Sequence, residues 1–182
     1  MTEPATLTLR AGVGASMEAT VEMLGDRRVM VCRSLVHQRS CALGRAAGET
    51  LATAAEAALR ERIPLVVHLA SGGADVTEGI DALHGWGVAA RALVRCSGII
   101  PLLMSVECPA VASPSLLLGL MDIVVMTADA YAFVSGPHMV HQFTGVPIEK
   151  SELGGSGSHA RNTGVATVVV ETAIPRSVST TA

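Results

Sequence analysis

Two turns in this sequence each lie where a strand gives way to a helix, and both could aim backbone amides at a ligand. The first spans residues 69–79 (LASGGADVTEG) and contains Gly72 and Gly73, which let the backbone approach a ligand closely. The second spans residues 106–115 (VECPAVASPS), where the amide of Ser113 is placed likewise. Amides at a helix N-terminus favour negative charge. Two such turns on adjacent strands are typical of an oxyanion hole, although each turn alone is also typical of a tight connection.

Strands and helices alternate along the chain at a spacing that predicts an α/β fold with a parallel sheet and right-handed crossovers. Runs of β-branched and other apolar residues predict strands over residues 6–10, 21–24, 29–33, 65–69, 101–106 and 123–126. Apolar residues at helical spacing predict helices over residues 43–60, 80–96, 115–121 and 135–143. We expect a hairpin turn at Gly25-Asp26 and a loop over residues 108–113.

Single residues predict the ends and faces of two of these helices. Ser113 is a natural N-cap, and Pro114 is a natural first residue for the short helix that follows. In the helix over residues 80–96, four apolar residues at helical spacing are expected to point inward, namely Ile80, Leu83, Ala90 and Leu93.

The composition excludes several classes of protein. The 182 residues are enough for one sizeable core, and with 49% apolar but only 2% aromatic residues this core must be packed from aliphatic side chains. The net charge of −3, without a basic cluster, gives no support for nucleic-acid binding. The N-terminus has no apolar run, and prolines and acids interrupt the most hydrophobic region, so we expect neither a signal peptide nor a membrane span. The four scattered cysteines lack the spacing of a zinc site, and we expect a cytoplasmic protein without a metal.

Several uncommon short sequence motifs between residues 63 and 166 match those of one protein family in order and spacing. They are SGGADVTEG at 71–79, SGIIP at 97–101, FVSGP at 133–137, ELGG at 152–155, His159 and GVA at 164–166. Through these motifs the chain resembles the N-terminal half of the carboxyltransferase beta subunit of acetyl- and propionyl-CoA carboxylases. The stretch from Val106 to Asp122 also reproduces the length of the second motif of the wider crotonase superfamily.

The resemblance implies a crotonase-like fold, in which a spiral of ββα units forms a parallel sheet covered by helices. It implies a single domain over residues 1–173 and a homo-oligomer, either a trimer or a hexamer. The Ser/Thr-rich residues 174–182 are expected to form a frayed tail.

The resemblance also implies roles for the residues of the two turns. The amides of Gly72 and Ser113 would form the oxyanion hole that stabilises the enolate of an acyl thioester. Ser71, Gly73 and Ala112 would contact the thioester end of the carrier, which is either coenzyme A or a phosphopantetheine arm.

Three departures from the family bear on the reaction. The family's Ala-Gly-Gly is replaced by residues 111–113 (VAS), and these larger side chains are expected to narrow the site. Leu116 stands where hydratases of the superfamily have a glutamate, so hydration by two carboxylates is not expected. His138 replaces a family aspartate, and His141 follows one helical turn later. Either imidazole could give a proton to an enolate near the thioester α-carbon, or both could be surface or capping residues.

From this resemblance we expect C–C chemistry at the α-carbon of a malonyl-type thioester, and biotin-independent decarboxylation in particular. That reaction needs an oxyanion hole and a proton donor, and it requires no cofactor beyond the acyl-CoA or acyl-carrier-protein thioester. A second hypothesis is a subunit of a split biotin-dependent carboxyltransferase, in which a C-terminal-half partner completes the biotin site. The resemblance is also compatible with a crotonase-type dehydratase or isomerase, and with a non-catalytic domain that binds an acyl carrier or a partner, because fold does not fix function.

Overall fold

Short apolar runs form the strands of one mixed sheet, which is the framework of the molecule. In a computed structural model that describes residues 8–10, 12, 15–36 and 41–171, this sheet has eight strands. They are β1 (Thr8–Leu9), β2 (Met17–Leu24), β3 (Arg27–Ser34), β4 (Leu65–Ser71), β5 (Leu102–Val111), β6 (Ile123–Thr127), β7 (Ala132–Phe133) and β8 (Val168–Val170). The start of the first predicted strand and the predicted tail at residues 174–182 lie outside the described residues.

The sheet is antiparallel at one edge and parallel elsewhere. Strands β1, β2 and β3 pair antiparallel, and Gly25, with a φ of +64°, turns the chain between β2 and β3. From β3 onward, neighbouring strands run parallel in the order β3-β4-β5-β6-β8, while β7 pairs with the end of β5. The predicted hairpin and the predicted parallel sheet are therefore confirmed.

Two long helices pack against one face of the sheet. Helix α1 (Arg45–Glu61) connects β3 to β4, and α2 (Ile80–Cys96) connects β4 to β5, as predicted. Most of their buried residues are small, including Ala47, Gly48, Ala54, Ala55 and Ala58 on α1 and Ala82, Gly85, Ala89 and Ala92 on α2. The β4 side chains that share this core are Leu65, Val67 and Leu69. Small residues thus let the helices lie close to each other and to the sheet.

Gly48 of α1 and Gly85 of α2 bring the two helix backbones into direct contact. A Cβ atom at Gly48 would lie 2.1 Å from the carbonyl oxygen of Gly85, and one at Gly85 would lie 2.7 Å from backbone atoms at the start of α1. Because the helices meet at this distance, large side chains of α2 point away from α1. Ile80 and Leu83 are 81% and 61% exposed, so the prediction that they point inward is wrong, whereas Leu93 is buried as predicted.

Strand β5 runs past Pro109 and is longer than predicted. Its last two residues, Ala110 and Val111, pair with β7, and Ser71 of β4 also pairs with Ala110 after a shift of register. The prediction of a loop over residues 108–113 is therefore wrong for residues 108–111, which belong to β5. Pro109 cannot donate a hydrogen bond, but the ladder resumes with a new partner strand beyond it, so the extended backbone remains paired.

Short helical segments complete the described chain. They are the 3₁₀ segments Val76–Glu78 and Ser113–Leu120, helices α3 (Pro137–Thr144), α4 (Lys150–Gly154) and α5 (Ser156–Ser158), and a π-helical turn at His159–Thr163. The second 3₁₀ segment and α3 lie where the sequence predicts helices. Among residues 8–171, as far as they are described, no helix has both the length and the apolar character required to cross a bilayer.

We predict that Gly85→Ala destabilises the protein, even though alanine favours a helix more than glycine does. The added methyl group would overlap backbone atoms of α1, and overpacking of this kind costs about 1–3 kcal/mol. Gly87→Ala on the same helix is the control, because no described atom lies within 4 Å of its added Cβ. It should raise the free energy of unfolding by up to about 1 kcal/mol. Urea denaturation measures both values, and equal stability of the two variants would contradict the close contact of α1 and α2.

Candidate active site

The two turns that the sequence singles out lie side by side in the structure. Strands β4 and β5 are parallel neighbours, so the turns that follow them emerge at the same edge of the sheet. Gly73 in the first turn has a φ of +124°, a backbone conformation that favours glycine. A Cβ atom at Gly73 would lie only 3.5 Å from the Cβ atom of Ala112 in the second turn. Segments that are far apart along the chain are thereby in contact.

Hydrogen bonds within the first turn fix its shape. The hydroxyl oxygen of the buried Ser71 lies 3.2 Å from the amide nitrogen of Gly73 and 3.1 Å from its carbonyl oxygen. That carbonyl also accepts a hydrogen bond from the amide of Leu43, and the Leu43 carbonyl accepts one from the amide of Asp75. Ser71 and Gly73 are thus engaged inside the turn, and their contact with a thioester carrier stays a prediction.

Ala112 gives the second turn an unusual backbone conformation. Its φ of +59° and ψ of −146° lie in a region that only glycine adopts readily, and such strain costs about 1–3 kcal/mol in another residue. Two neighbours hold it there. The Ala112 amide donates to the carbonyl of Phe133 at 2.9 Å, and the Ala112 carbonyl accepts from both the amide and the hydroxyl of Ser115. The contact of Ala112 with a carrier also stays a prediction.

Ser113 is not the N-cap that the sequence predicts. Strand β5 extends to Val111, so Ala112 occupies the cap position and Ser113 is already the first residue of the 3₁₀ segment. The carbonyl of Ser113 accepts a hydrogen bond from the indole nitrogen of Trp86 on α2, at 2.8 Å. Sequence reasoning missed Trp86 because no local pattern relates a helix residue to a turn that follows the next strand.

Each turn has at least one amide that makes no hydrogen bond within the described part of the chain. Gly72, which is exposed, carries such an amide on the first turn, and Ser113, which is half-buried, carries one on the second. The adjacent amides of Gly73 and Ala112 are both occupied. The site thus leaves two neutral N–H donors on neighbouring, internally bonded turns, which is the donor type that stabilises negative charge on a carbonyl oxygen.

The two histidines singled out by the sequence lie on α3, which begins shortly after the strand that anchors the second turn. His138 and His141 are one helical turn apart, and both are exposed. Their part in proton transfer stays a prediction. His159 has a structural environment, since its Nε2 atom lies 2.7 Å from the carbonyl oxygen of Ala132. The described residues contain no group of three or more His, Cys, Asp or Glu side chains that could hold a metal ion.

A comparison with known protein families gives a match over most of the chain. A family profile described as the carboxyl transferase domain matches residues 24–175 of the chain. The chain belongs to this carboxyl transferase domain family. The match covers both turns, the two histidines and nearly every described element of the fold.

Two curated members of the family are similar to most of this chain. The propionyl-CoA carboxylase beta chain of Rhodococcus erythropolis is 37% identical over 64% of the chain. The methylmalonyl-CoA carboxyltransferase 12S subunit of Propionibacterium freudenreichii subsp. shermanii is 32% identical over 81% of it. The chain spans only 24% of the length of the first relative and 32% of the second.

Solved structures of carboxyltransferases share the fold. The crystal structure of transcarboxylase 12S with hydrolysed methylmalonyl-CoA bound has a TM-score of 0.84 and 28% identity, over 86% of this chain and 30% of the other. A subunit of a Pseudomonas malonate decarboxylase hetero-dimer has a TM-score of 0.76 over 92% of this chain and 74% of the other. The two sequences are only 19% identical, so this similarity bears on the fold alone. The predicted crotonase-like α/β fold is therefore confirmed.

Proposed function

We propose that this chain is the acyl-thioester half of a biotin-dependent carboxyltransferase and that a partner subunit supplies the biotin half. The observation that carries the proposal is the pair of adjoining turns, in which the amides of Gly72 and Ser113 make no hydrogen bond within the described chain. Similarity to a propionyl-CoA carboxylase chain and to a methylmalonyl-CoA carboxyltransferase subunit supports an acyl-CoA substrate.

In this proposal, the thioester carbonyl oxygen accepts hydrogen bonds from both amides. Negative charge collects on this oxygen when a bond at the α-carbon breaks and the enolate forms. Each donor contributes a factor of about 10²–10³ to the rate, because it is already oriented before the charge develops. The Ser71 hydroxyl orients the first turn, and the Phe133 carbonyl orients the second through Ala112. The enolate carbon is then the nucleophile that accepts a carboxyl group.

Biotin itself fits the described residues poorly. Carboxybiotin supplies the carboxyl group in such enzymes, and its ureido oxygen requires hydrogen-bond donors of its own. In our proposal the thioester occupies the unengaged amides of Gly72 and Ser113. We therefore assign the biotin site to the partner and derive no step of this chain from it.

Helix α3 supports the assignment of a partner, because it has an apolar face that none of the described elements covers. None of its residues is buried within the described chain, and Phe143 is 83% exposed. Met139 on the same helix and Val146 just after it are also exposed. Short helices gain most of their stability from packing an apolar face, and exposed apolar patches mark interaction sites. We assign the α3 face, formed by Met139, Phe143 and Val146, to the C-terminal-half partner.

Biotin-independent decarboxylation, which the sequence resemblance favours, has less support. The similar structure of a malonate decarboxylase subunit is only 19% identical and therefore bears on the fold alone. The curated relatives with higher identity are a carboxylase chain and a carboxyltransferase subunit. These comparisons support the split-subunit hypothesis.

We predict that Gly72→Pro lowers turnover of the complete enzyme by about 10²-fold or more, because proline removes one N–H donor of the proposed oxyanion hole. Gly72→Ala is the matched control, since it changes the residue but keeps the amide. Steady-state kinetics with an acyl-CoA substrate measures the effect, and thermal unfolding verifies that both variants fold. A Gly72→Pro enzyme that folds and keeps its rate would refute the oxyanion role.

We predict that His138 or His141 moves the proton at the α-carbon. Removing a general acid or base lowers the rate by about 10²–10⁴-fold, so His138→Ala or His141→Ala should lower kcat with little change in KM. An unchanged kcat in the double variant would show that neither histidine takes part in proton transfer.

We predict that the isolated chain transfers no carboxyl group and that adding the C-terminal carboxyltransferase half from the same organism restores transfer. Phe143→Asp should weaken this association by about 30-fold, a loss typical of a central interface aromatic. Leu24→Asp, which changes another exposed apolar residue on the β2–β3 hairpin, is the control. Sedimentation velocity measures assembly, and release of carbon dioxide from malonyl-CoA by the chain alone would favour decarboxylation instead.

A further inference from the structure

A second group of polar residues lies on the face of the sheet opposite α1 and α2. Arg33, His68 and Ser105 are register neighbours on β3, β4 and β5, so they form a row across three parallel strands. The Nδ1 atom of His68 lies 2.6 Å from the hydroxyl oxygen of Ser105. Ser105 is only 6% exposed. Burying polar groups in a sheet is unfavourable unless they are hydrogen-bonded, so such a row is a feature that requires an explanation.

This row lines a cavity of about 320 Å³, which we call the β-face cavity. The volume lies within the range of small-molecule sites. Ala70 and Cys108 form its wall nearest the two turns. Ala70 precedes Gly72 by two residues and His68 precedes it by four, which corresponds to about 7 Å and about 13 Å along an extended strand. The cavity thus begins beside the first turn and extends along β4 away from it.

The two arginines that line the β-face cavity are each paired with a carboxylate. Arg33 forms an ion pair with Glu22, with 2.8 Å between Nη2 and Oε2, and its guanidinium holds the pKa of Glu22 below the ordinary value. Arg10 forms an ion pair with Glu18. Glu107 adds another carboxyl group to the lining. The described residues that line the cavity therefore carry no surplus positive charge for an anionic ligand, and an uncharged hydrogen-bonding group suits them better.

We propose that the β-face cavity holds the far end of the acyl group and selects medium-length acyl thioesters that carry a hydroxyl group near that end. The inference rests on the proposed function, because it requires the thioester carbonyl to lie at Gly72. A serine hydroxyl can donate one hydrogen bond and accept two, and the contact with His68 uses only one of these. Ser105 can therefore bind a ligand hydroxyl while it keeps its bond to His68.

The test compares three thioesters by isothermal titration calorimetry: acetyl-CoA, octanoyl-CoA and ω-hydroxyoctanoyl-CoA. The hydroxylated chain should bind about two- to tenfold more tightly than octanoyl-CoA, as expected for one buried hydrogen bond. Ser105→Ala should abolish this preference and leave octanoyl-CoA binding unchanged. Ser156→Ala is the matched control, because it removes another buried, hydrogen-bonded serine hydroxyl outside the cavity and should keep the preference.

Alkylation of Cys108 gives a second readout that does not depend on affinity or activity. Cys108 lines the cavity and is partly exposed, whereas Cys32, Cys41 and Cys96 are buried. Burial raises the pKa of Cys32 to about 12, which keeps it in the unreactive thiol form. Both eight-carbon thioesters should slow the reaction of Cys108 with iodoacetamide, and acetyl-CoA should not.

The outcomes separate this inference from the function on which it rests. If acetyl-CoA binds, but neither chain length nor the hydroxyl group changes affinity or Cys108 alkylation, the cavity proposal is overturned and the proposed function stands. If no CoA thioester binds, with or without the C-terminal half, the proposed function fails and the cavity proposal fails with it. Equal loss of the hydroxyl preference in Ser105→Ala and Ser156→Ala would overturn the specific role of Ser105.

Discussion

The parallel pairing of β4 with β5 is the constraint on which the candidate site depends. Parallel strands end at the same edge of a sheet, so the turns after Ser71 and Val111 emerge together, whereas antiparallel neighbours would place them at opposite edges. The register shift lengthens β5 relative to β4 and brings Ala112 level with Gly73. The same ladder sets His68 beside Ser105, so one pair of strands organises both the two turns and the β-face cavity.

Close packing of small residues determines which apolar residues remain outside. Because α1 and α2 touch at Gly48 and Gly85, the core between them is filled by alanines, in keeping with an aromatic content of only 2%. A larger apolar side chain of α2, such as Ile80, is then left at the surface, and Phe143 of α3 is exposed as well. Exposed apolar side chains of this size are the kind of feature that an interface covers.

The existence and order of most elements could be predicted from the sequence, because they depend on local periodicity. The hairpin at Gly25, both long helices and the two strand-to-helix turns are of this kind. The errors concern interactions between distant segments. An Ala-rich helix has both a small-residue face and a large-residue face, and only the contact with α1 decides that Ile80 points outward. The extension of β5 depends on β7, and the positive φ of Ala112 depends on Phe133, neither of which a local pattern reveals.

The hydrogen bond from Trp86 to the carbonyl of Ser113 has a spectroscopic consequence. Trp86 is the single tryptophan of the chain, so excitation at the red edge of protein absorption isolates one indole. This indole projects from α2, is half-buried, and donates its N–H to the backbone of the second turn at the start of the 3₁₀ segment. Its emission wavelength and lifetime therefore report the polarity and hydrogen bonding of that turn, and the protein contains an intrinsic fluorescent probe of its own candidate site.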